Sequence, residues 1–376
     1  MKNKTTQMKL APEKNVNKLK YYAAFSYLPL RPLFKAKLLE YFDFDVEKAF
    51  NADKNDLENF RDYQEVSIPR EFLSKRDKLD IDECFNNAFL DEEVKIVTVE
   101  DDLYPSLLRQ IPDYPISLYY KGNIENQNSN LNLAVVGSRK ASQEAKIALD
   151  NIISDFNSSD ITVVSGLAYG IDAQAHKSAL NNNIRTFAVI GSGLDIIYPN
   201  QNKDLFYEII NSNGAVFSEY PLKTSPIPMN FPQRNRIVVG MSKGTLVAEA
   251  RIKSGAMISA NLTLDFNREL MCIPGNISNP NTSGIYYLIK NGAGIVTSSE
   301  DILNQMDWNI KATPKESIIN LSALQKNVLN CLSLEPKTFD EVMIELKEDI
   351  SKIMVTLTEL EVKGLIKQSN NKYYKL

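Results

Sequence analysis

The sequence predicts an α/β protein with a Rossmann-like, doubly wound parallel sheet at its centre. Between residues 131 and 307, apolar segments such as LAVVG (133–137) and ITVVSG (161–166) alternate with helical patterns. Several of these segments end in glycine, as strands do where the chain turns sharply into a helix. Strands that are apolar throughout are typical of a parallel sheet covered by helices on both faces. We therefore expect residues 93–307 to form one extended Rossmann-like domain.

Helical patterns dominate the residues before the sheet. From Leu19 to about Phe89 short helices follow one another, and Pro29 and Pro32 separate the first two. We expect residues 1–92 to form a helical domain with a frayed start, used for packing or protein interaction rather than for DNA binding. The segment 94–99 then alternates as a strand does.

The core continues through five more apolar segments. They are TFAVIGSG (186–193), AVFSE (215–219), TLVAE (245–249), LMCIPG (270–275) and GIVTS (294–298). The second and third of these flank the stretch FPQRNRIVV (231–239), where we place two arginines directly before a buried helix. Fixed cations beside a strand and a turn of small residues suit an anion at the carboxyl edge of a parallel sheet.

The C-terminal residues predict a winged helix. After a linker at 308–318, residues 319–376 show three helical patterns, with Thr338 as a cap and Gly364 ending the third. A short hairpin with Asn370-Asn371 at its tip completes the motif. The third helix carries acids at 359 and 361, and no arginine follows Arg268, so we expect protein contact here rather than base reading.

Composition narrows the classes of function. The chain has 376 residues, a net charge of -4 and one histidine, so any polyanion site must be a local patch and a multi-histidine metal site is excluded. Apolar runs are too short for a membrane span, and the three cysteines are widely separated. Such cysteines are typical of a reducing compartment, so we expect a cytoplasmic protein. We also expect no cofactor, since neither a P-loop nor a complete dinucleotide-binding motif is present.

Small-residue turns and arginines supply the candidate anion site. The turns are Gly137-Ser138, Ser165-Gly166, Gly191-Ser192-Gly193 and Lys253-Ser254-Gly255. Each lets backbone amides approach an anion at a helix N-terminus, although glycine can also serve only to turn the chain. Arg139, Arg234 and Arg236 would contact phosphate, and the alternative for each is a structural ion pair with a carboxylate. His176, four residues after Asp172, would pack or face DNA rather than act as a catalyst.

These residues resemble the DNA-processing protein A family, also called DprA or Smf. The matching segments are VVGSRKAS, SGLAYGIDAQAH, VIGSGLDIIYP, SEYP, FPQRNRIVVGMSKGTLVAEARIKSGAMISA and IPGN followed by SGIYYLIKNGA, and together they cover the α/β core. The helical N-terminus and the winged C-terminus are similar to the family's three-part layout, with a SAM-like N-terminal domain.

The resemblance implies a non-catalytic protein that binds single-stranded DNA, protects it and loads RecA recombinase onto it during natural transformation. It also implies a homodimer and a DNA pocket at the carboxyl edge of the sheet. The expected DNA-binding residues are Gly137, Ser138, Arg139, Ser165, Gly166, Gly170, His176, Gly191, Gly193, Lys223, Phe231, Gln233, Arg234, Asn235, Arg236, Lys253, Ser254 and Gly255.

One departure and two alternatives accompany this hypothesis. Family members often place a basic residue just before the Phe-Pro-x-Arg-Asn motif, whereas this chain has Pro228, Met229 and Asn230, so we expect Lys223 to substitute. GTLVAE (244–249) is also similar to a nucleotide-phosphoribohydrolase motif, which would make the protein an enzyme that cleaves nucleoside monophosphates. The hypothesis of a transcription factor that reads duplex DNA rests on the winged helix alone, and the acidity of that domain disfavours this hypothesis.

Overall fold

A computed structural model describes residues 16–64, 68–69, 71–125, 131–156, 160–308, 322–333, 335–362 and 364–375. The chain divides into two compact units, Met1–Pro314 and Lys315–Leu376. None of the described helices has the length and apolarity needed to cross a membrane. The predicted frayed start and most of the predicted linker lie outside the described residues.

The first unit begins with six helices that pack on the sheet. They are α1 (Val16–Tyr27), α2 (Pro32–Tyr41), α3 (Val46–Asn51), α4 (Lys54–Gln64), α5 (Phe72–Arg76) and α6 (Ile81–Ala88). Their buried side chains belong to the same hydrophobic cluster as side chains of the sheet. The hydroxyls of Ser26 on α1 and Tyr119 on the second strand are hydrogen-bonded at 2.7 Å. The predicted boundary at residues 92/93 therefore crosses a shared core.

Nine strands of the described residues form one sheet in the order β1-β2-β6-β5-β4-β3-β7-β8-β9. Their bounds are β1 Lys95–Thr98, β2 Ser117–Gly122, β3 Asn132–Gly137, β4 Thr162–Ser165, β5 Arg185–Ile190, β6 Ala215–Ser218, β7 Gly244–Glu249, β8 Glu269–Cys272 and β9 Gly294–Ile295. The pairs from β6 through β9 are parallel, which confirms the predicted core. The strands β1 and β2 extend it with antiparallel pairs.

Helices cover both faces of this sheet. They are α7 Gln143–Ser154, α8 Ile171–Asn181, α9 Lys203–Asn211, α10 Asn230–Gly240, α11 Gly255–Asp265, α12 Ser283–Lys290 and α13 Ser299–Gln305. Along β3, Leu133 and Val135 join one hydrophobic cluster, whereas Ala134 and Val136 join the other. Successive side chains of a strand point to opposite faces, so this strand is buried on both sides.

The chain reverses its direction of travel across the sheet at β3. It proceeds from β3 through β4 and β5 to β6, and then α10 carries it back to β7 on the other side of β3. Ligands of open α/β sheets bind at such a switch point, outside the carboxyl ends of the strands. Arg234 and Arg236 lie inside α10, so the prediction that they precede a helix is wrong.

The second unit is the predicted winged helix. It contains α14 Ala323–Cys331, α15 Phe339–Leu346, α16 Ile350–Val362, β10 Ile366–Ser369 and β11 Lys372–Lys375. Thr338 caps α15 as expected, in a reciprocal capping box with Glu341. Asn370 and Asn371 both have positive φ, of 49° and 60°, which a two-residue hairpin turn of this kind requires.

Candidate nucleic-acid interface

The turns after β3 and β4 are fastened to each other. The Ser138 amide donates to the Glu249 carbonyl at 2.7 Å, and the Ile171 amide donates to the Ser138 carbonyl at 3.1 Å. Gly170 has a φ of 75°, and a Cβ there would lie 2.1 Å from the Ser138 oxygen. Glycine is therefore required at residue 170 to bring the start of α8 against the turn that carries Ser138.

Arg234 is a buried connection between strand ends. Its side chain comes from α10, is 4% exposed, and donates from Nη1 to the carbonyls of Gly166 and Val189. A Cβ on Gly166 would lie between 2.2 and 2.6 Å from the guanidinium atoms, so this close approach requires glycine. The guanidinium holds the ends of β4 and β5, which favours the structural alternative over the expected phosphate contact.

Arg234 is also the electrostatic partner of a buried acid. Burial lowers the pKa of Arg234 and the charge of Asp172 opposes this shift. Burial raises the pKa of Asp172, while Arg234 acts to lower it. The Asp172 carboxylate in turn accepts from the Ala168 amide at 3.4 Å. One arginine therefore organises both the β4 turn and the start of α8.

Arg236 is likewise structural. It is 3% exposed, and its Nη2 donates to the Glu219 carboxylate at 2.5 Å. Its Nε lies 3.5 Å from the Asp113 carboxylate. These pairs hold α10 to the segments before β2 and after β6, which favours the structural ion pair over the expected phosphate contact. Asn235, between the two arginines, is half-buried.

His176 lies inside the fold rather than at a surface. Its Nδ1 is 2.7 Å from Thr186 Oγ1, and that hydroxyl donates to the Val163 carbonyl at 2.9 Å. The hydroxyl hydrogen is thus used, so Nδ1 must carry the ring proton. Burial, helped by the charge of Arg234, lowers the His176 pKa to about 3. The imidazole is neutral and packed, which favours the packed alternative over a DNA contact.

An exposed arginine lies over an aromatic pair at this edge. The Arg139 guanidinium is 5.4 Å from the centre of the Phe231 ring, and the Tyr198 ring centre is 5.6 Å from the same ring. Arg139 is exposed, Phe231 is half-buried and Tyr198 is 45% exposed. An exposed guanidinium and two aromatic rings with exposed surface therefore lie together here. We call Arg139, Phe231 and Tyr198 the stacking platform.

Sequence reasoning missed Tyr198, Tyr169 and Asn230. Tyr169 is 38% exposed and its hydroxyl donates to Gln201. Asn230 is buried and donates to the Gly191 carbonyl at 2.9 Å, which holds the β5 turn against α10. The Tyr-Pro at 198–199 and the residue before Phe231 were visible in the sequence, but their contacts arise from elements far apart along the chain.

The remaining predicted residues divide into buried and exposed groups. The buried or half-buried ones are Gly137, Ser138, Ser165, Gly166, Gly170, Gly191 and Gly193, with Ser254. Ser165 Oγ donates to the Val135 carbonyl at 2.6 Å. The exposed ones are Lys223, Gln233, Lys253 and Gly255. The amide of Lys223 donates to the Asp195 carboxylate at 2.9 Å, which leaves its ammonium group exposed.

The carboxylate of Glu249 is used inside the fold. It is 1% exposed and accepts from the Ser142 amide at 3.1 Å, just where α7 begins. Asn279 donates to the same carboxylate at 3.4 Å. The phosphoribohydrolase alternative requires this residue to act on a substrate, whereas here it fastens a helix start and a loop.

Models of known protein families match both the sheet and the winged helix of this chain. The family model of DNA recombination-mediator protein A matches residues 95–307, and the DprA winged helix model matches residues 312–371. The chain belongs to the DprA family. It is 35% identical to the DNA processing protein DprA of Streptococcus pneumoniae over 72% of this chain and 92% of that protein. It is 38% identical to Protein Smf of Escherichia coli over 58% of each chain.

Two solved structures of DprA proteins resemble this one. The Streptococcus pneumoniae structure aligns with a TM-score of 0.65 and 33% identity, over 78% of this chain and 98% of that one. The Helicobacter pylori structure, whose title describes its single-stranded DNA binding mode, aligns with a TM-score of 0.51 and 28% identity. It covers 56% of this chain and 95% of its own.

The structural role of Arg234 is tested by Arg234→Met. This change keeps the side-chain length but leaves two carbonyls without a donor and Asp172 without its cation. We expect the free energy of unfolding in urea to fall by roughly 3–5 kcal/mol. Arg139→Ala is the matched control, because it removes an exposed arginine at the same edge and should change stability by less than about 0.5 kcal/mol. Equal stabilities of the two variants would contradict this assignment.

His176 makes folding stability depend on pH. Its folded pKa of about 3 is below the ordinary value of 6.5, so the unfolded chain binds the proton first as pH falls. The stability it contributes is complete above 6.5 and is lost toward 3, by about 1.4 kcal/mol per pH unit from this group. Between about pH 7 and pH 5.5 the unfolded histidine becomes protonated only in part, so the loss over this range is about 1.3 kcal/mol in total, which urea unfolding measures. In His176→Gln the slope over that range should nearly vanish; an unchanged slope would show that other groups cause it.

Proposed function

We propose that the protein binds single-stranded DNA at the carboxyl edge of the sheet, with the stacking platform as its central contact. The observation that carries this proposal is the exposed Arg139 over Phe231, with Tyr198 beside it, at the edge where the glycine turns meet. The platform offers a charge for phosphate and aromatic faces for bases. Proteins that bind single strands without sequence preference combine these two features.

The geometry favours an unpaired strand over a duplex. Bases can stack on Phe231 and Tyr198 only when they are not already stacked and paired within a helix. Sequence reading in a duplex groove needs side chains that present donors and acceptors to base edges. The platform presents ring faces and one guanidinium instead, so we expect little base preference.

We further propose that the protein is not an enzyme. Two groups that the sequence offered for catalysis are occupied in the fold: Glu249 accepts from Ser142 and Asn279, and His176 is neutral and buried. Binding and transfer of a strand require neither group. This favours the DNA-binding hypothesis over cleavage of nucleoside monophosphates.

In the cell, the bound strand would be protected and passed on. Membership of the recombination-mediator family supports the proposal that the protein acts as a homodimer and loads RecA recombinase onto incoming DNA during natural transformation. DNA binding is assigned to the first unit. In the winged helix the acids Glu359 and Glu361 lie exposed on α16, which favours a protein partner for that unit.

Strand preference provides the first test of this function. Fluorescence anisotropy with a labelled oligothymidylate and with a blunt duplex of equal length, at one salt concentration, measures both affinities. We expect the duplex to bind at least roughly tenfold more weakly, since stacking contributes about 1–3 kcal/mol per base. Phe231→Leu should narrow the difference, because it removes the ring but keeps an apolar side chain. Equal affinity of the wild-type protein for both DNAs would exclude the proposed site.

Arg139→Ala tests the phosphate contact. We expect the affinity for a single strand to fall by roughly 1.5–3 kcal/mol, because a charge-assisted hydrogen bond to phosphate is lost. The slope of log affinity against log salt should become shallower by about 0.7 if one phosphate is contacted. Arg139→Lys is the control, because it keeps the charge and should restore the slope. A lower melting temperature with an unaltered salt slope would place the DNA site elsewhere.

A further inference from the structure

A groove lies between the N-terminal helices and the part of the chain that includes the start of α10. It encloses about 670 Å³ between the loop joining α1 to α2 and the segment that follows β6. Asn230 and Gln233, which lie within two residues of Phe231 on α10, are among its lining residues. The groove therefore adjoins the helix that carries Phe231, and both of its walls belong to the first unit.

Cations lie along both walls of this groove. Arg31 and Lys35 come from the start of α2, and Lys223 comes from the opposite wall. Arg31 and Lys223 are exposed, whereas Lys35 is half-buried and donates to the Phe25 carbonyl at 2.8 Å. Burial lowers the pKa of Lys35 to about 8, so the side chain is still mostly charged at neutral pH.

The acidic side chain that lines the groove is already paired within the fold. Glu219 lines it, but its carboxylate accepts from Arg236 and its side chain is 14% exposed. The available charge of the walls is therefore positive, although the whole chain carries a net charge of -4. A local positive field on an acidic protein directs a polyanion to one place.

Apolar side chains are exposed between the cations. Met229 is 71% exposed and Ile227 is 48% exposed, and both line the groove with Pro29. Tyr220 is held beside them, with its hydroxyl donating to Gln233 at 3.2 Å. Exposed apolar surface interleaved with cations matches an unpaired strand, which offers base faces and phosphates in alternation.

We propose that this groove holds further nucleotides of the same single strand, beyond those at the stacking platform. This inference rests on the proposed function and extends it, because it gives the N-terminal helices a direct part in DNA binding. Arg31 and Lys35 contact phosphates there, and Ile227 and Met229 support bases. The site thus has a minimum strand length set by the platform and a longer length at which the groove is also filled.

Oligonucleotides of two lengths distinguish binding in the groove from binding at the stacking platform. Affinities are measured for oligothymidylates of about 4 and about 12 nucleotides, within the range of known single-strand sites. The double variant Arg31→Gln/Lys35→Gln should bind the longer strand roughly tenfold more weakly and the shorter strand as the wild type does. Its salt slope for the longer strand should become shallower by about 1.4, for two phosphates.

A second variant tests the base contacts independently. The double variant Ile227→Ser/Met229→Ser removes apolar surface without changing charge. Its affinity for the longer strand should therefore fall severalfold, whereas the slope of log affinity against log salt should not change. The matched control is Lys54→Gln/Lys177→Gln, which removes two exposed cations outside the groove, one from the N-terminal helices and one from the core. The control should bind both strands as the wild type does.

The outcomes also separate this inference from the proposed function. If the groove variants fold normally and bind the longer strand as tightly as the wild type, the groove proposal is wrong and the platform is unaffected. Equal losses for both lengths would also overturn it, because they would place these residues at the primary site. If the wild type binds neither length, the proposed function itself fails and the groove proposal falls with it.

Discussion

The carboxyl edge of this sheet depends on one buried guanidinium. Arg234 reaches from the crossover helix to carbonyls at the ends of β4 and β5, with Asp172 as its nearby counter-charge. Carbonyls at strand ends have lost their ladder partners, and leaving them buried without a donor is costly. The same contact fixes where α10 lies, and α10 carries Phe231 to the surface. A structural arginine inside the fold therefore sets the geometry of the proposed DNA site.

Buried and exposed cations have different roles in this protein. Arg234 and Arg236 are almost fully buried and serve carbonyls and carboxylates of the fold. Arg139 is exposed at the same edge, where its interaction with a ligand would be direct. A chain with a net charge of -4 can attract a polyanion only through such a local arrangement. The exposed cations of the groove would continue it in one direction, toward the N-terminal helices.

More of the fold than of the candidate site could be predicted from the sequence. Strand, glycine turn and helix leave local patterns, so the parallel core and the capped, winged C-terminal unit could be predicted from residues such as Thr338 and Asn370. The arginines could not, because their roles depend on a helix that begins at Asn230 rather than after them. Residues two apart on a helix point about 200° apart, so Arg234 and Arg236 cannot share one phosphate surface. Tyr198 joins Phe231 only through the tertiary fold, which no local spacing records.

Amide hydrogen exchange with and without a saturating oligothymidylate tests the central claim most directly. We expect slower exchange on DNA binding in the turn after β3 (138–142), the segment after β5 (191–199) and the start of α10, with exchange in α16 of the winged helix unchanged. Amides near the ligand must lose access to solvent if the strand lies on the stacking platform. Protection confined to the winged helix, with the carboxyl edge of the sheet unaffected, would contradict the account.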